Sequence, residues 1–145
     1  MGKSIPKGVK PVAVWLVAED EADIRNLVQL LFTSWGHQPL TFESGQKAWT
    51  WLDQVETGGY GGPLPELALL DIRMPGKRGD EVAQRMRSTP ALAHMPVVLM
   101  TAYALNEDQE AAMLAQGADL IIHKPLPEFD RLHAVLSDVV YSRRK

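Results

Sequence analysis

Cysteine is absent from the 145 residues of this chain. Its absence excludes disulfide frameworks, thiol nucleophiles and zinc sites built on thiolates. Long apolar runs are lacking too, because none approaches the roughly 18 residues that a membrane span requires. The opening residues, MGKSIPKGVKP, have no apolar middle of the kind that a signal peptide needs. We therefore expect a cytoplasmic protein without a membrane span, whose interior is held together by packing.

An excess of positive charge is also missing. Lysine and arginine number 15 against 18 aspartate and glutamate residues, and the one tight basic cluster is residues 143–145. This balance gives no basic surface field, so we do not expect the chain alone to bind nucleic acid. The length suits one domain with its own core. Residues 1–11 carry prolines, glycines and lysines without apolar periodicity, which predicts a disordered leader before a domain spanning residues 12–145.

Apolar segments of two kinds alternate along the chain. Short, continuous runs predict buried strands at VAVWLVA (12–18), LALL (67–70), VVLM (97–100) and LII (120–122), with QPLTF (38–42) as a weaker fifth. Between them, apolar residues recur at helical spacing, for example at Ile24, Leu27, Val28 and Leu31. A strand–helix alternation repeated five times predicts a doubly wound α/β fold, with a parallel sheet and helices on both faces.

Local signals place the ends of these elements. Ser44 and Asn106 are suited to N-caps, and Gly36 and Gly117 stand where helices should stop. Pro127 suits the first turn of the last helix. The stretch GGYGGPLPE (58–66) predicts an exposed loop before the third strand.

Polar residues follow the predicted strands where reactive groups gather in open parallel sheets, at the carboxyl edge. They are Glu19, Asp20, Asp71, Thr101 and Lys124. Carboxylates brought together there would repel one another unless a cation lies between them. A hard divalent ion such as Mg²⁺ prefers oxygen ligands and often accompanies phosphate. The edge is therefore suited to phosphoryl chemistry, with an aspartate nucleophile and a lysine to offset charge.

Four separated motifs carry a resemblance. The segments WLVAEDEADIRNLV, LALLDIRMPGKRGDEV, VVLMTAY and GADLIIHKPL resemble, in order and in strand context, the receiver domains of bacterial response regulators, a CheY-like family. The resemblance covers nearly everything from Val12 onward. It implies a flavodoxin-like sheet of five parallel strands in the order 2-1-3-4-5, flanked by five helices.

The same resemblance implies the ligands of a magnesium ion. Asp20 would bind Mg²⁺ directly and Glu19 through water. Asp71 would be both a ligand and the phosphoacceptor, and the backbone carbonyl of Arg73 would complete the protein ligands. No other cofactor is implied, and no histidine of the chain is given a chemical role.

The resemblance also assigns the residues around the phosphoryl group. The Thr101 hydroxyl and the Lys124 ammonium would contact it, and the Lys124–Pro125 peptide would be cis. The phosphoryl group would come from a phosphohistidine of a histidine kinase or histidine phosphotransfer protein. The phosphorylated chain, a monomer or weak homodimer, would then engage a downstream protein or effector domain.

Two positions depart from the family pattern. Where the family has an aromatic switch residue three positions before the lysine, this chain has Ile121, which has no ring to swing between exposed and buried states. Tyr103, two residues after Thr101, is bulky for a position that flanks the attacking water. With Arg73, Tyr103 would slow hydrolysis of the phosphoaspartate.

Three functions stay open on the sequence. The first is a phosphorylation switch that catalyses only its own phosphorylation and dephosphorylation, and so is not otherwise an enzyme. The second is a pseudo-receiver that binds proteins independently of phosphorylation, which Ile121 favours. The third is a phosphatase with an aspartyl intermediate, which is disfavoured because little sequence remains to build a substrate pocket.

Overall fold

The computed structural model describes residues 12–144; the predicted leader, residues 1–11, lies outside them, as does Lys145. Within this range there are five strands: β1 Val14–Ala18, β2 Gln38–Phe42, β3 Leu67–Asp71, β4 Val97–Thr101 and β5 Leu120–His123. Five α-helices accompany them: α1 Ala22–Ser34, α2 Gly45–Thr57, α3 Gly79–Ser88, α4 Glu107–Gln116 and α5 Phe129–Arg144. A short 3₁₀ turn, Pro90–Leu92, precedes β4. None of the helices in the described range is long and apolar enough to cross a bilayer.

The strands form one parallel sheet in the order β2-β1-β3-β4-β5, as predicted. β1 is shorter than expected, because it begins at Val14 and not at Val12. The other four predicted strands have the expected positions to within a residue, and β2 matches its prediction at both ends. Because all strands run in one direction, their carboxyl ends share a single edge of the sheet.

Two apolar layers cover the two faces of the sheet. Successive strand residues point to opposite faces, so Leu16 of β1 belongs to a layer with α2, α3 and α4, and Val17 to a layer with α1 and α5. The central strands β1, β3 and β4 are buried on both sides, as their continuous apolar runs predicted, whereas the edge strands β2 and β5 are only partly buried. The core therefore holds the backbone at the carboxyl edge in place from both faces.

The predicted helix ends are confirmed with one exception. The Ser44 side chain accepts a hydrogen bond from the Lys47 backbone N–H at 3.1 Å, and Asn106 forms a capping box with Gln109. The prediction that Pro127 lies in the first turn of the last helix is wrong, because α5 begins two residues later at Phe129. Pro127 therefore lies in the segment that leads into α5, where its fixed φ is equally well tolerated.

A network of ion pairs braces the end of the domain opposite the carboxyl edge. Arg87, at the end of α3, contacts Asp119 with an N–O distance of 2.8 Å, and Arg143 of α5 contacts the other carboxylate oxygen at 2.8 Å. The Arg87 guanidinium also donates to the carbonyl oxygens of Ala93, Met95 and Gly117. One side chain thus ties α3 to two segments, the one before β4 and the one between α4 and β5.

Aromatic and histidine rings alternate at the same end of the domain. His37 stacks on Trp15 with ring centroids 3.8 Å apart, and His133 stacks on Trp35 at 4.4 Å. The Trp15 indole N–H donates to the Glu66 carboxylate at 2.7 Å. The pKa of His37 is lowered by burial; the Glu66 carboxylate opposes that shift, and the neighbouring His133 adds to it.

The lowered pKa of His37 gives a pH-dependent stability. As the pH falls through the ordinary histidine range, near about 6.5, the unfolded chain takes up the proton more readily than the folded one, so the folded state loses stability. His37→Phe keeps a ring against Trp15 and removes the titrating nitrogen. We expect the variant to lose less stability than the parent between about pH 7.5 and about pH 5. Urea unfolding of both proteins at the two pH values measures this, and equal losses would contradict it.

Candidate functional site

The predicted reactive residues follow the strand ends at the carboxyl edge. β1 ends at Ala18, so Glu19 and Asp20 come directly after it, and Asp71 is the last residue of β3. β1 and β3 are neighbours in the sheet. The parallel register therefore brings the acidic residues of two chain segments, about fifty positions apart, to one point.

Carboxylate oxygens of Glu19, Asp20 and Asp71 lie within 4.8 Å of one another. Glu19 is fully buried and Asp71 is 6% exposed, whereas Asp20 is exposed. Three oxygen donors at this spacing suit a hard divalent cation, which binds carboxylates and keeps several waters. The donor chemistry therefore fits the metal that the sequence implied, with an open side toward solvent at Asp20.

Lys124 closes the inner side of this cluster. Its ammonium nitrogen lies 2.6 Å from Glu19 Oε1 and 3.5 Å from Asp71 Oδ1, and the side chain is only 9% exposed. The Lys124 backbone N–H donates to the Thr101 carbonyl at 2.7 Å, which fixes the turn after β5, and the following peptide to Pro125 is cis, as expected. Lys124 therefore bonds mainly to Glu19 and lies within reach of Asp71.

Burial disfavours the ionised forms of Glu19 and Asp71. Burial raises the pKa of Glu19 to about 7, and the nearby Asp71 charge adds to this, while the bond to Lys124 opposes it. Burial also raises the pKa of Asp71, against the bonds from Glu19 and Lys124. For Lys124, burial acts to lower the pKa, but the bond to Glu19 and the charge of Asp71 outweigh it and raise the pKa. One ammonium is thus shared between two buried carboxyl groups. A further positive charge at this site would therefore be stabilised.

Thr101 ends β4 beside this cluster, with the side chain buried. In the sheet register Asp71 pairs with Met100, the residue before Thr101. The Thr101 hydroxyl oxygen accepts a hydrogen bond from the Tyr103 backbone N–H at 3.0 Å. Because a hydroxyl carries one proton and two lone pairs, Thr101 keeps its own proton for another acceptor.

Arg73 and Tyr103, which the sequence analysis placed on either side of the attacking water, contact each other directly. The guanidinium carbon of Arg73 lies 3.8 Å from the centroid of the Tyr103 ring. The two side chains come from the loops after β3 and β4, and Tyr103 is 51% exposed. A cation stacked on an aromatic face stabilises such a contact by about 0.5–1 kcal/mol when exposed. The pair therefore links the loops after β3 and β4 by a weak, solvent-exposed contact.

Ile121 lies away from the acidic cluster. It is the second residue of β5, pairs in register with Leu99, and packs half-buried against the layer formed by α2, α3 and α4. On the neighbouring surface, His123 contacts Glu110 of α4 with an N–O distance of 2.8 Å. The position that the resemblance assigns to an aromatic switch is thus occupied by an aliphatic side chain of β5, half-buried against this layer.

Sequence reasoning missed Arg25 of α1. Its guanidinium donates to the backbone carbonyl of Glu19 at 2.9 Å and lies 3.4 Å from that of Asp20. A signal was available, because Arg25 is the only basic residue of α1 and stands near its N-terminus, where the helix dipole disfavours a cation.

The sequence is similar to known proteins over most of its length. The profile of the response regulator receiver domain family matches residues 15–137. The chain is 34% identical over 110 residues to the phosphate regulon transcriptional regulatory protein PhoB of Escherichia coli, an alignment covering 76% of this chain and 44% of PhoB. It is 36% identical over 104 residues to the response regulator Rcp1 of Synechocystis, which covers 70% of this chain and 69% of Rcp1. The chain thus spans less than half the length of PhoB.

Solved structures agree on the fold. A CheY-like receiver domain protein of Methanospirillum hungatei superposes with a TM-score of 0.76 at 20% identity, covering 92% of this chain and 98% of that one. The Mn²⁺-bound form of Rcp1 superposes with a TM-score of 0.70 at 27% identity, covering 88% of this chain and 91% of Rcp1. Taken with the strand order and the acidic edge, these similarities establish that the chain belongs to the response regulator receiver domain family of two-component systems.

Proposed function

We propose that this domain, spanning residues 12–145, is a phosphorylation switch in which Asp71 accepts a phosphoryl group beside a bound Mg²⁺. The observation that carries the proposal is the nearly buried Asp71, within 4.8 Å of two further acids and 3.5 Å from the Lys124 ammonium. A carboxylate in that place needs positive charge beside it. Membership of the receiver family supports the same assignment.

The Mg²⁺ ion would be held by Asp20 and Asp71 directly, by Glu19 through water, and by the backbone carbonyl of Arg73. When bound, it would offset charge on the transferring phosphoryl oxygens. An exposed Asp20 and a buried Asp71 suit this division, since one ligand faces the solvent from which the ion enters. The Mn²⁺-bound structure described for Rcp1 supports a divalent cation in this family.

In the transfer step, an Asp71 carboxylate oxygen forms a bond to phosphorus while the bond from phosphorus to the donor's imidazole nitrogen breaks. The imidazole leaves with the electron pair, and the product on this chain is an acyl phosphate. The Lys124 ammonium then moves from Glu19 toward the phosphoryl oxygens, and the Thr101 hydroxyl donates a hydrogen bond to one of them. The donor is a histidine kinase or histidine phosphotransfer protein.

The output is a shift between two populations of the domain. Phosphorylation favours the arrangement in which Thr101 and Lys124 contact the phosphoryl group, by the difference in contact free energy between the two states. Thr101 leads into the loop after β4, and Lys124 directly follows β5, the strand that contains Ile121. That surface would engage a downstream protein or effector domain in the cytoplasm, from a monomer or weak homodimer.

One experiment tests the proposal directly. The chain is incubated with acetyl phosphate and Mg²⁺ and its intact mass is measured, beside Asp71→Asn and a Mg²⁺-free sample. We expect a single phosphoryl adduct that requires both Asp71 and the metal. An adduct that persists in Asp71→Asn would identify another acceptor.

A pseudo-receiver, which binds partners independently of phosphorylation, is the second candidate. The observation that favours it is Ile121, packed where the family's switch uses a movable aromatic ring. Absence of any adduct in a folded sample that binds Mg²⁺ would favour this candidate over the switch.

The Arg73–Tyr103 stack predicts a long-lived phosphoaspartate. Water must reach phosphorus from the side that these two residues cover, so Tyr103→Ala should shorten the lifetime of the acyl phosphate several-fold. Loss of the adduct with time, followed by mass spectrometry after the donor is removed, measures the lifetime. Tyr141→Ala, at another exposed tyrosine on α5, is the matched control. A lifetime unchanged by Tyr103→Ala would contradict a covering role.

A further inference from the structure

Arg25 contacts the backbone of two of the three clustered acids. It lies half-buried on α1, and a single guanidinium nitrogen donates to the Glu19 carbonyl at 2.9 Å and approaches the Asp20 carbonyl at 3.4 Å. Hydrogen bonds from a charged donor are roughly twice as strong as neutral ones. The contact therefore fixes the two peptide planes from which the Glu19 and Asp20 side chains project.

Helix stabilisation does not explain this residue. A cation near a helix N-terminus opposes the dipole, and Glu21, the N-cap of α1, makes no side-chain capping bond. The acidic residue Asp23 already occupies the first turn. The position of Arg25 is therefore unfavourable for α1 by itself and favourable for the segment before it.

The same segment is held from two other directions. The Glu19 backbone N–H donates to the Phe42 carbonyl of β2 at 3.0 Å, and Glu19 Oε2 accepts from the Glu21 backbone N–H at 3.3 Å. Arg25 supplies the contact from α1, on the carbonyl side of the peptides. Together these bonds hold the turn between β1 and α1 in the position that brings the Glu19 and Asp20 carboxylates close to Asp71.

We propose that Arg25 is a positioning residue for the metal site: it aligns the Glu19–Asp20 backbone so that both carboxylates face one cation together with Asp71. This inference rests on the proposed function, because it concerns the same metal. Two effects of the guanidinium have opposite signs. Alignment strengthens metal binding, whereas the positive charge near the acids weakens it. A variant that loses the guanidinium therefore reveals which effect dominates.

The experiment measures Mn²⁺ affinity from the electron paramagnetic resonance signal of the free ion. Wild type, Arg25→Met and Arg25→Lys are compared. Losing an outer residue that orients metal ligands typically weakens affinity about 10–100-fold, and we expect Arg25→Met to fall in that range. Lysine keeps the charge but lacks the guanidinium's planar set of five N–H donors, so Arg25→Lys should recover only part of the loss.

Matched controls come from α5. Arg131 is an exposed arginine, and Arg131→Met and Arg131→Lys change charge and size in the same way without touching the site. We expect both to bind Mn²⁺ as wild type does. Urea unfolding of every variant in EDTA reports the stability of the metal-free fold, and the conservative Arg25→Lys keeps the test usable if Arg25→Met unfolds.

Each other result overturns the inference in a distinct way. Tighter Mn²⁺ binding by Arg25→Met would mean that the guanidinium acts only as a repelling charge. Unchanged affinity with lowered stability would mean that the bond is only structural. Failure of wild type itself to bind Mn²⁺ would overturn the proposed metal site, and the role of Arg25 with it. Binding by wild type that the Arg25 variants match would overturn this inference alone.

Discussion

Lys124→Met should lower the free energy of unfolding of the metal-free protein by about 3–5 kcal/mol near pH 8, the usual effect of removing one partner of a buried ion pair. The side chains of Lys124 and Glu19 are 9% and 0% exposed, and their charged atoms are 2.6 Å apart. Without the ammonium, Glu19 and Asp71 would face each other as two buried acids. Methionine keeps the length of the side chain, so the effect isolates the charge.

The loss should depend on pH. Burial raises the pKa of Glu19 to about 7, above that of the unfolded chain, so the folded state binds more protons between pH 4.5 and that value and loses stability as the pH rises through it. Without Lys124, the pKa of Glu19 rises further, so the loss continues to higher pH and becomes larger in total. The variant should therefore be closer to wild type near pH 6 than near pH 8, because a protonated Glu19 needs no cation.

Urea unfolding in EDTA, at pH values on both sides of about 7, measures both effects. Lys47→Met is the matched control, because Lys47 pairs with Glu43 through side chains that are 62% and 54% exposed, and such surface pairs contribute about 1 kcal/mol or less. Adding Mg²⁺ should restore part of the stability, since a ligand that binds only the folded state stabilises it. A variant as stable as wild type near pH 8 would contradict a neutralising role for Lys124.

Gly79→Ala should destabilise the fold by about 1–3 kcal/mol, as overpacking does. Gly79 opens α3, and a Cβ there would lie 2.1 Å from the Asp71 carbonyl oxygen, which is backbone and cannot rotate away. The Gly79 N–H also donates to the Ile72 carbonyl at 2.8 Å. Elsewhere in a helix, replacing glycine with alanine stabilises by about 0.5–1 kcal/mol, so the sign of the effect is the test.

Gly61→Ala serves as the control, because a Cβ at Gly61 would meet no atom within 4 Å. We expect it to change the urea midpoint little. Gly79→Ala should also slow formation of the acetyl phosphate adduct, since the backbone that must shift carries Asp71. If Gly79→Ala unfolds at the same urea concentration as the parent, the close approach of α3 to the end of β3 is wrong.

Most of the fold could be predicted from the sequence. Continuous apolar runs located four strands, and QPLTF was a weaker signal for the fifth. The alternation of these segments with helical spacing predicted a parallel sheet, because most of the signals are local and strong. The misplaced elements lie at ends: β1 begins at Val14 and α5 begins after Pro127. End positions depend on hydrogen bonds that periodicity does not encode, and Pro127 is compatible with either side of a helix start.

The membership of the site could also be predicted, but its internal contacts could not. Strand ends and four motifs indicated that Asp71 and Lys124 meet. The sequence did not reveal that Lys124 bonds more closely to Glu19 than to Asp71, or that Arg73 stacks on Tyr103. Such choices follow from side-chain rotamers and from the shape of two loops, which are set by the whole fold. The roles given to these residues in phosphoryl transfer stay predictions.

The brace formed by Arg87 and Asp119 makes one end of this domain a fixed frame of reference. Arg87 joins α3 to the segments around Ala93, Met95 and Gly117, so distances measured from that end report movement elsewhere. Because the chain has no cysteine, two introduced cysteines would be the sole attachment points for spectroscopic probes. One cysteine at the exposed Ser88, next to Arg87, and one at Ala104, in the loop after β4, would be suitable positions. The distance between the two probes would then report movement of that loop relative to the braced end.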